Sequence, residues 1–352
     1  MFDELKDIEV REETQVQKSD LEKVLSTEKE ILTIYENDIR EMSHLGAELE
    51  LYDEILCTSR EKLKKIKMQS TTLQEYVRSR ENNDEDPQQI IRGMYSAALL
   101  EIICTAQPDV QINVDCEKRT FNFLFYCTRN AANVTLQNVK GYWIFGEAGN
   151  KGGKIENIVL KNVTGNHTLY HAGREGIARY ITCIQIKGDN LLYSACDFGG
   201  EAEHILCTNI KGDNTLHHAG SKERGRIKHA ICTHITGNCT LADTGRRGNA
   251  EHLTCIQITG DNTLSTVANS EVTIKNVTFR DIKEKNPTLS HTGISGSCFN
   301  CPREYTLTQK QITLLEKIKK ITESIHAFSF SETRLAHDEI ARLQIEIFAG
   351  DT

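Results

Sequence analysis

The chain has no long hydrophobic run. No stretch approaches the roughly 18 consecutive apolar residues of a membrane span, so no membrane partner is expected. Met1 is followed by Phe-Asp-Glu-Leu-Lys-Asp-Ile-Glu, which has neither the basic start nor the apolar stretch of a signal peptide. That reads as a cytoplasmic protein, with a phage structural or effector origin left open. A basic tract or stripe is also lacking, which argues against a nucleic-acid footprint. There is no Gly-rich phosphate loop and no nucleophile motif, and the 166–290 region holds few aromatics for a sugar platform: Tyr170, Tyr180, Tyr193, Phe198 and Phe279.

What is present is a repeat. Asn166, Asn190, Asn214, Asn238, Asn262 and Asn286 recur every 24 residues, within near-identical text such as Ile-Lys-Gly-Asp-Asn-Thr-Leu. Aligned on Gly165, Gly188, Gly212, Gly237 and Gly260, the units are 23, 24, 25 and 23 residues long. Each holds short β-rich runs split by glycine or asparagine turns, with no room for a ten-residue helix. That spacing excludes helical and leucine-rich repeats, while a four-stranded propeller blade, the main rival, needs a longer unit. Units this short bury their cores only by stacking on one another.

Rung length and the recurrent turn asparagine resemble the right-handed parallel β-helix of pectin lyases and phage tailspikes, over roughly residues 133–301. The resemblance implies a ladder of turn asparagines (Asn166, Asn190, Asn214, Asn238, Asn262) in left-handed conformation, with Asn286 set apart by Pro287. It also implies the enzyme alternative, a polysaccharide lyase or hydrolase.

Columns of the repeat become rows about 4.8 Å apart in a stack. Cys183, Cys207, Cys232 and Cys255 fall five residues before the glycine, in phase with apolar neighbours, and are expected inward as small core residues. Four of the twelve cysteines used this way fit a reducing compartment. Tyr180, His204, His229 and His252 form a second row, read as an interfacial stack in preference to a metal site. Arg179, Glu203, Lys228 and Glu251 alternate in sign beside it, and Glu201 joins these paired acids. Asp189, Asp213 and Asp261 read as solvated turn residues. Metal candidates are His291 with Cys298 and Cys301 of a Cys-x-x-Cys, but no second such pair supplies four ligands.

The flanks differ. Residues 1–86 carry 13 Lys/Arg against 23 Asp/Glu, a net of −10; residues 132–285 carry 18 against 15, a net of +3. From Leu21 to Val77 a proline-free heptad runs through Val24, Ile31, Tyr35, Leu49, Tyr52, Leu56, Leu63 and Leu73. It predicts a coiled coil that makes the protein a homo-oligomer through residues 21–77. The alternative is a helical hairpin folded back around His44–Ala47. Gln88–Cys104 reads as an apolar helix, and Val110–Val114 and Thr120–Tyr126 as strands.

The expected architecture is mixed: a helical coiled-coil segment (1–82), a linker and N-terminal cap (83–132), a parallel β-helix solenoid (133–301) and C-terminal capping helices (302–352). The expected function is non-enzymatic, a structural or interaction protein displaying a capped rod, with no cofactor and no catalytic residue. A carbohydrate-binding or polysaccharide-cleaving protein is the alternative.

Overall fold

The computed structural model describes residues 2–41, 47–80, 88–222, 224–244, 248–262, 274–280 and 308–348. Four helices come first: α1 (Phe2–Glu41), α2 (Ala47–Leu63), α3 (Ser70–Ser79) and α4 (Gln88–Ala106). Among the described residues nine strands follow: β1 (Ile112–Asp115), β2 (Asn130–Ala131), β3 (Val134–Lys140), β4 (Lys154–Thr164), β5 (Ile177–Lys187), β6 (Glu201–Lys211), β7 (Arg226–Thr236), β8 (Asn249–Thr259) and β9 (Ile274–Arg280). Two helices close the described chain, α5 (Gln309–Ser324) and α6 (Phe330–Phe348).

The strands form one parallel sheet in the order β1-β3-β4-β5-β6-β7-β8-β9, with β2 also pairing β4. Each long strand pairs in register with the strand one repeat later, as Cys183 pairs with Cys207 and Cys207 with Cys232. This is a β-solenoid whose parallel strands lie about 24 residues apart, as the repeat requires. Every strand from β4 to β8 is bent by one left-handed residue: Asn162, Gln185, Asn209, His234 and Gln257, all with φ between 54° and 58°. The bend shifts the alternation, so Ile181, Cys183 and Ile186 all point inward although 183 and 186 are three apart. The segment 120–126, read as a strand from its aromatics, is instead a turn in which Phe123 and Phe125 are left-handed.

Residues 21–77 do not form one long helix, because the chain leaves helix between Leu63 and Ser70. Tyr35 meets Thr58 and Glu30 meets Lys62, so α1 and α2 run antiparallel, the fold-back alternative. The seam residues Val24, Ile31, Tyr52, Leu63, Leu73 and Val77 are buried within the chain, in one core with α4 and the solenoid interior. Glu28, awkward in a coiled-coil seam, here accepts a hydrogen bond from Tyr76 at 2.8 Å and faces Arg92. Helix α4 covers the front of the solenoid: Ser96 Oγ accepts from the Phe125 amide, and Asn122 donates to Gln89.

The C-terminal pair packs along the flank of the solenoid. A solvent-side stripe of Ile184, Leu206, Ile231 and Ile256 would be exposed without it, and α5 and α6 cover that stripe with Leu315, Ile318, Ile340 and Leu343. The histidine row is part of the same contact. Tyr180, His204, His229 and His252 stack ring on ring at 4.8, 4.9 and 4.8 Å. From α6, Gln344 Oε1 sits 2.8 Å from His229 Nδ1, and His337 Nε2 sits 2.7 Å from Thr182 Oγ1.

Burial pushes His204 down to about 4 and His337 down to about 3, and lowers His229 as well. Each therefore takes its proton at a lower pH when folded than the roughly pH 6.5 of an unfolded histidine. The folded state therefore binds fewer protons across that interval, so this contribution to stability is whole above about pH 6.5 and falls as pH drops towards 4. Thermal melts should give a lower midpoint at pH 5 than at pH 7.5, and His337→Gln should narrow the difference. An identical pH response in the variant would show that this interface does not carry the effect.

Candidate functional site

The left-handed bends that redirect each strand also create a groove. Asn138, Asn162, Gln185 and Asn209 occupy the bend in four successive rungs, and Asn162 Nδ2 donates to Asn138 Oδ1 at 3.1 Å. Two residues later the strand ends in Lys140, Thr164, Lys187 and Lys211, paired rung to rung. With Lys118 these residues line a groove of about 620 Å³. Four rung steps of about 4.8 Å make it roughly 19 Å long.

The electrostatics of the two strand ends differ. At the start of the strands, charges cancel: Arg179 meets Glu156 at 3.1 Å, Lys228 meets Glu203 at 3.2 Å, and Arg226 bridges Glu201 and Glu251. In the groove, no ion pair engages Lys118, Lys140, Lys187 or Lys211 among the described residues. A concave run of one sign focuses its field on whatever enters.

A ribbon of rings climbs the turns that follow the rung glycines. Trp143 stacks on His167 at 4.9 Å and meets Tyr170 at 4.8 Å, and Tyr170 stacks on Tyr193 at 5.2 Å with their planes 2° apart. These residues fall second or fifth after Gly141, Gly165 and Gly188, a periodicity visible in the sequence only if histidine is counted with the aromatics. Beside the ribbon is a second cavity of about 490 Å³. Its buried acid, Glu147, is fully engaged, with His171 Nδ1 at 2.6 Å and Asn150 Nδ2 at 2.6 Å.

The asparagine repeat divides into two rows. Because rungs vary from 23 to 25 residues, a strict step of 24 jumps between columns. Asn166 and Asn238 stand directly after their glycines, in a column with Asp189, Asp213 and Asp261. This column is the hydrogen-bonded ladder: Asn166 accepts from the Asp189 amide, Asp189 from Asp213, Asp213 from Asn238 and Asn238 from Asp261, at 2.7–2.9 Å. Asp189 and Asp213 are therefore structural acceptors, each offering an oxygen at the same reach as asparagine. Asn190, Asn214 and Asn262 stand one place later and are the left-handed residues, with His167 and Cys239 in the same column.

Cys183, Cys207, Cys232 and Cys255 are buried in one inward row. Burial raises the Cys255 thiol; at Cys232 the neighbouring Cys207 and burial both raise it. His291, Cys298 and Cys301 lie outside the described residues. No helix among the described residues is long and apolar enough to cross a membrane. No protein-family model, curated protein or solved structure matches this chain.

Proposed function

We propose that the protein is a non-catalytic interaction protein, a β-solenoid rod whose corner groove binds an extended anionic polymer, an acidic polysaccharide. The observation that carries this reading is the row of lysines without carboxylate partners above a floor of asparagine and glutamine. Lysines supply charge to carboxylates or sulfates, and amides supply both donors and acceptors to hydroxyls. The rung repeat presents these groups at regular intervals, which suits a polymer with regularly spaced charge. Near-equal rung lengths leave no long loop to close over the groove. Most acids along the rod are held in the Asn/Asp ladder, in ion pairs or against His171, and buried Asp197 accepts from the Ser221 amide at 2.7 Å, which favours binding over the paired free carboxylates of glycoside cleavage.

The test is titration calorimetry of the full chain with a polyuronate and with its neutral, esterified counterpart. The polyuronate should bind, more weakly as salt rises. An exposed ion pair contributes roughly 0.2–1 kcal/mol. Lys187→Gln with Lys211→Gln should therefore weaken binding by about tenfold, which is roughly 1.4 kcal/mol. Equal binding of the neutral polymer, or no loss in the double variant, would remove the groove from the reading. Release of short oligosaccharides would favour the cleaving alternative.

A further inference from the structure

Higher on the rod, the turn after β6 brings His217 and His218 against Asp243 of the turn after β7. His218 and Asp243 are both sixth after their rung glycines and both left-handed, with φ of 57° and 54°. In a regular strand, successive side chains point to opposite faces. Here one residue of each pair is left-handed, and the neighbouring rings of His217 and His218 lie on the same side, stacked at 4.1 Å and 14°. His217 Nε2 stands 3.7 Å from Asp243 Oδ2, and His218 Nδ1 stands 3.6 Å from the same oxygen. The three donor atoms lie within 4.8 Å of one another.

A hydrogen-bond chain fixes the tautomer of His217. Asn214 Nδ2 donates to Asn190 Oδ1 at 3.0 Å, which leaves Asn214 Oδ1 as an acceptor. His217 Nδ1 lies 3.1 Å from that oxygen and so carries a proton. In the neutral ring, the lone pair is then on Nε2, facing a carboxylate oxygen. Separations of 3.6–3.7 Å are too long for a hydrogen bond. They are close to the gap between two ligands of one ion bound at roughly 2.0–2.2 Å each.

We propose that His217, His218 and Asp243 form a binding site for a divalent first-row transition ion, with zinc best suited to two imidazoles and a carboxylate. Three protein ligands leave one position for water or an external donor. Asn214 is the positioning residue, holding the His217 ring through its second nitrogen. Tyr193 stands edge-on to both rings, at 5.2 and 5.5 Å, and walls the site.

The experiment is a zinc titration of the full chain, with Co²⁺ as the spectroscopic probe. One zinc should bind that is lost in Asp243→Asn, a variant of matched size, and in His218→Ala. Both losses should exceed the roughly 10–100-fold typical of a second-shell change, and Asn214→Ala should fall within that range. Thermal melts without metal establish that each variant is folded. Cobalt should show d–d bands with no thiolate charge-transfer band. Zinc affinity unchanged in folded Asp243→Asn and His218→Ala would overturn the proposal, as would failure of the wild-type chain to take up zinc. A thiolate band persisting at full affinity in both variants would assign the ion to cysteines and overturn it equally.

Discussion

Gly188→Ala should be strongly destabilised. Gly188 has φ +141°, a conformation that residues with a Cβ rarely adopt, and an added Cβ would stand 2.1 Å from the Gly165 carbonyl oxygen. Neither backbone can withdraw. Gly165 N donates to Lys187 O and Gly188 N donates to Lys211 O, so each glycine is tied to the next rung. The same contact recurs from Gly212 to Gly188, at 2.0 Å. Strain of roughly 1–3 kcal/mol from the backbone adds to a similar overpacking cost, so about 3 kcal/mol or more should be lost. Gly152→Ala is the control: its φ is +77°, but nothing lies within 4 Å of the added carbon. It should cost only the backbone strain, about 1 kcal/mol. Denaturant melts of the two variants decide the matter, and equal midpoints would mean that the stacked glycines are not in contact.

Deleting residues 1–82 should yield an insoluble or unfolded rod, instead of the folded monomer that a detachable coiled coil would leave. Helix α4 is buried almost all round, from Ile91 to Ile103, with the solenoid on one side and α1–α3 on the other. Removing the outer layer strips Val24, Ile31, Tyr52, Ile55, Leu73 and Tyr76 from it. It also removes two partners of Glu101, which is 2% exposed and accepts from Tyr52 at 2.9 Å and from Arg60 at 3.3 Å. Fully burying a large apolar side chain contributes roughly 1.5–3 kcal/mol, so six such losses, roughly 9–18 kcal/mol, are as large as the roughly 5–15 kcal/mol stability of a typical domain. Light scattering and circular dichroism of the truncated chain provide the test. A soluble, β-rich monomer would sink this account and restore an independent N-terminal segment.

How much of this was legible depended on how local the cause was. The β-solenoid followed from the repeat, because a unit of 23–25 residues has no other way to bury its Leu, Ile and Cys. The extent of α4 could be read from its apolar run. The heptad from Leu21 to Val77 could not say what it packs against: the same periodicity serves a second copy or the chain's own next helix, and α4 supplies that partner here. Strict counting also misled at the asparagines, since a one-residue change in rung length moves a side chain to the next column and from acceptor to left-handed turn. Leu169, Leu192, Leu216 and Leu241 are left-handed as well, although bulky residues carry no propensity for it. Nothing local announces that conformation.

The sequence by itself determined the period, the inward rows and the identity of the groups each rung could offer. It fixed these because a repeated strand of parallel sheet leaves one inward phase for its apolar residues. Tertiary structure decided which groups meet. The left-handed bends placed Lys140, Lys187 and Lys211 along one concave groove, and the left-handed turn residues set His217, His218 and Asp243 on one side. The flank helices turned His204 and His229 from exposed rings into a buried interface. Those outcomes depend on backbone angles and on contacts between residues up to 167 positions apart, as Lys161 and Phe328 are, and neither is encoded in any short stretch of the chain.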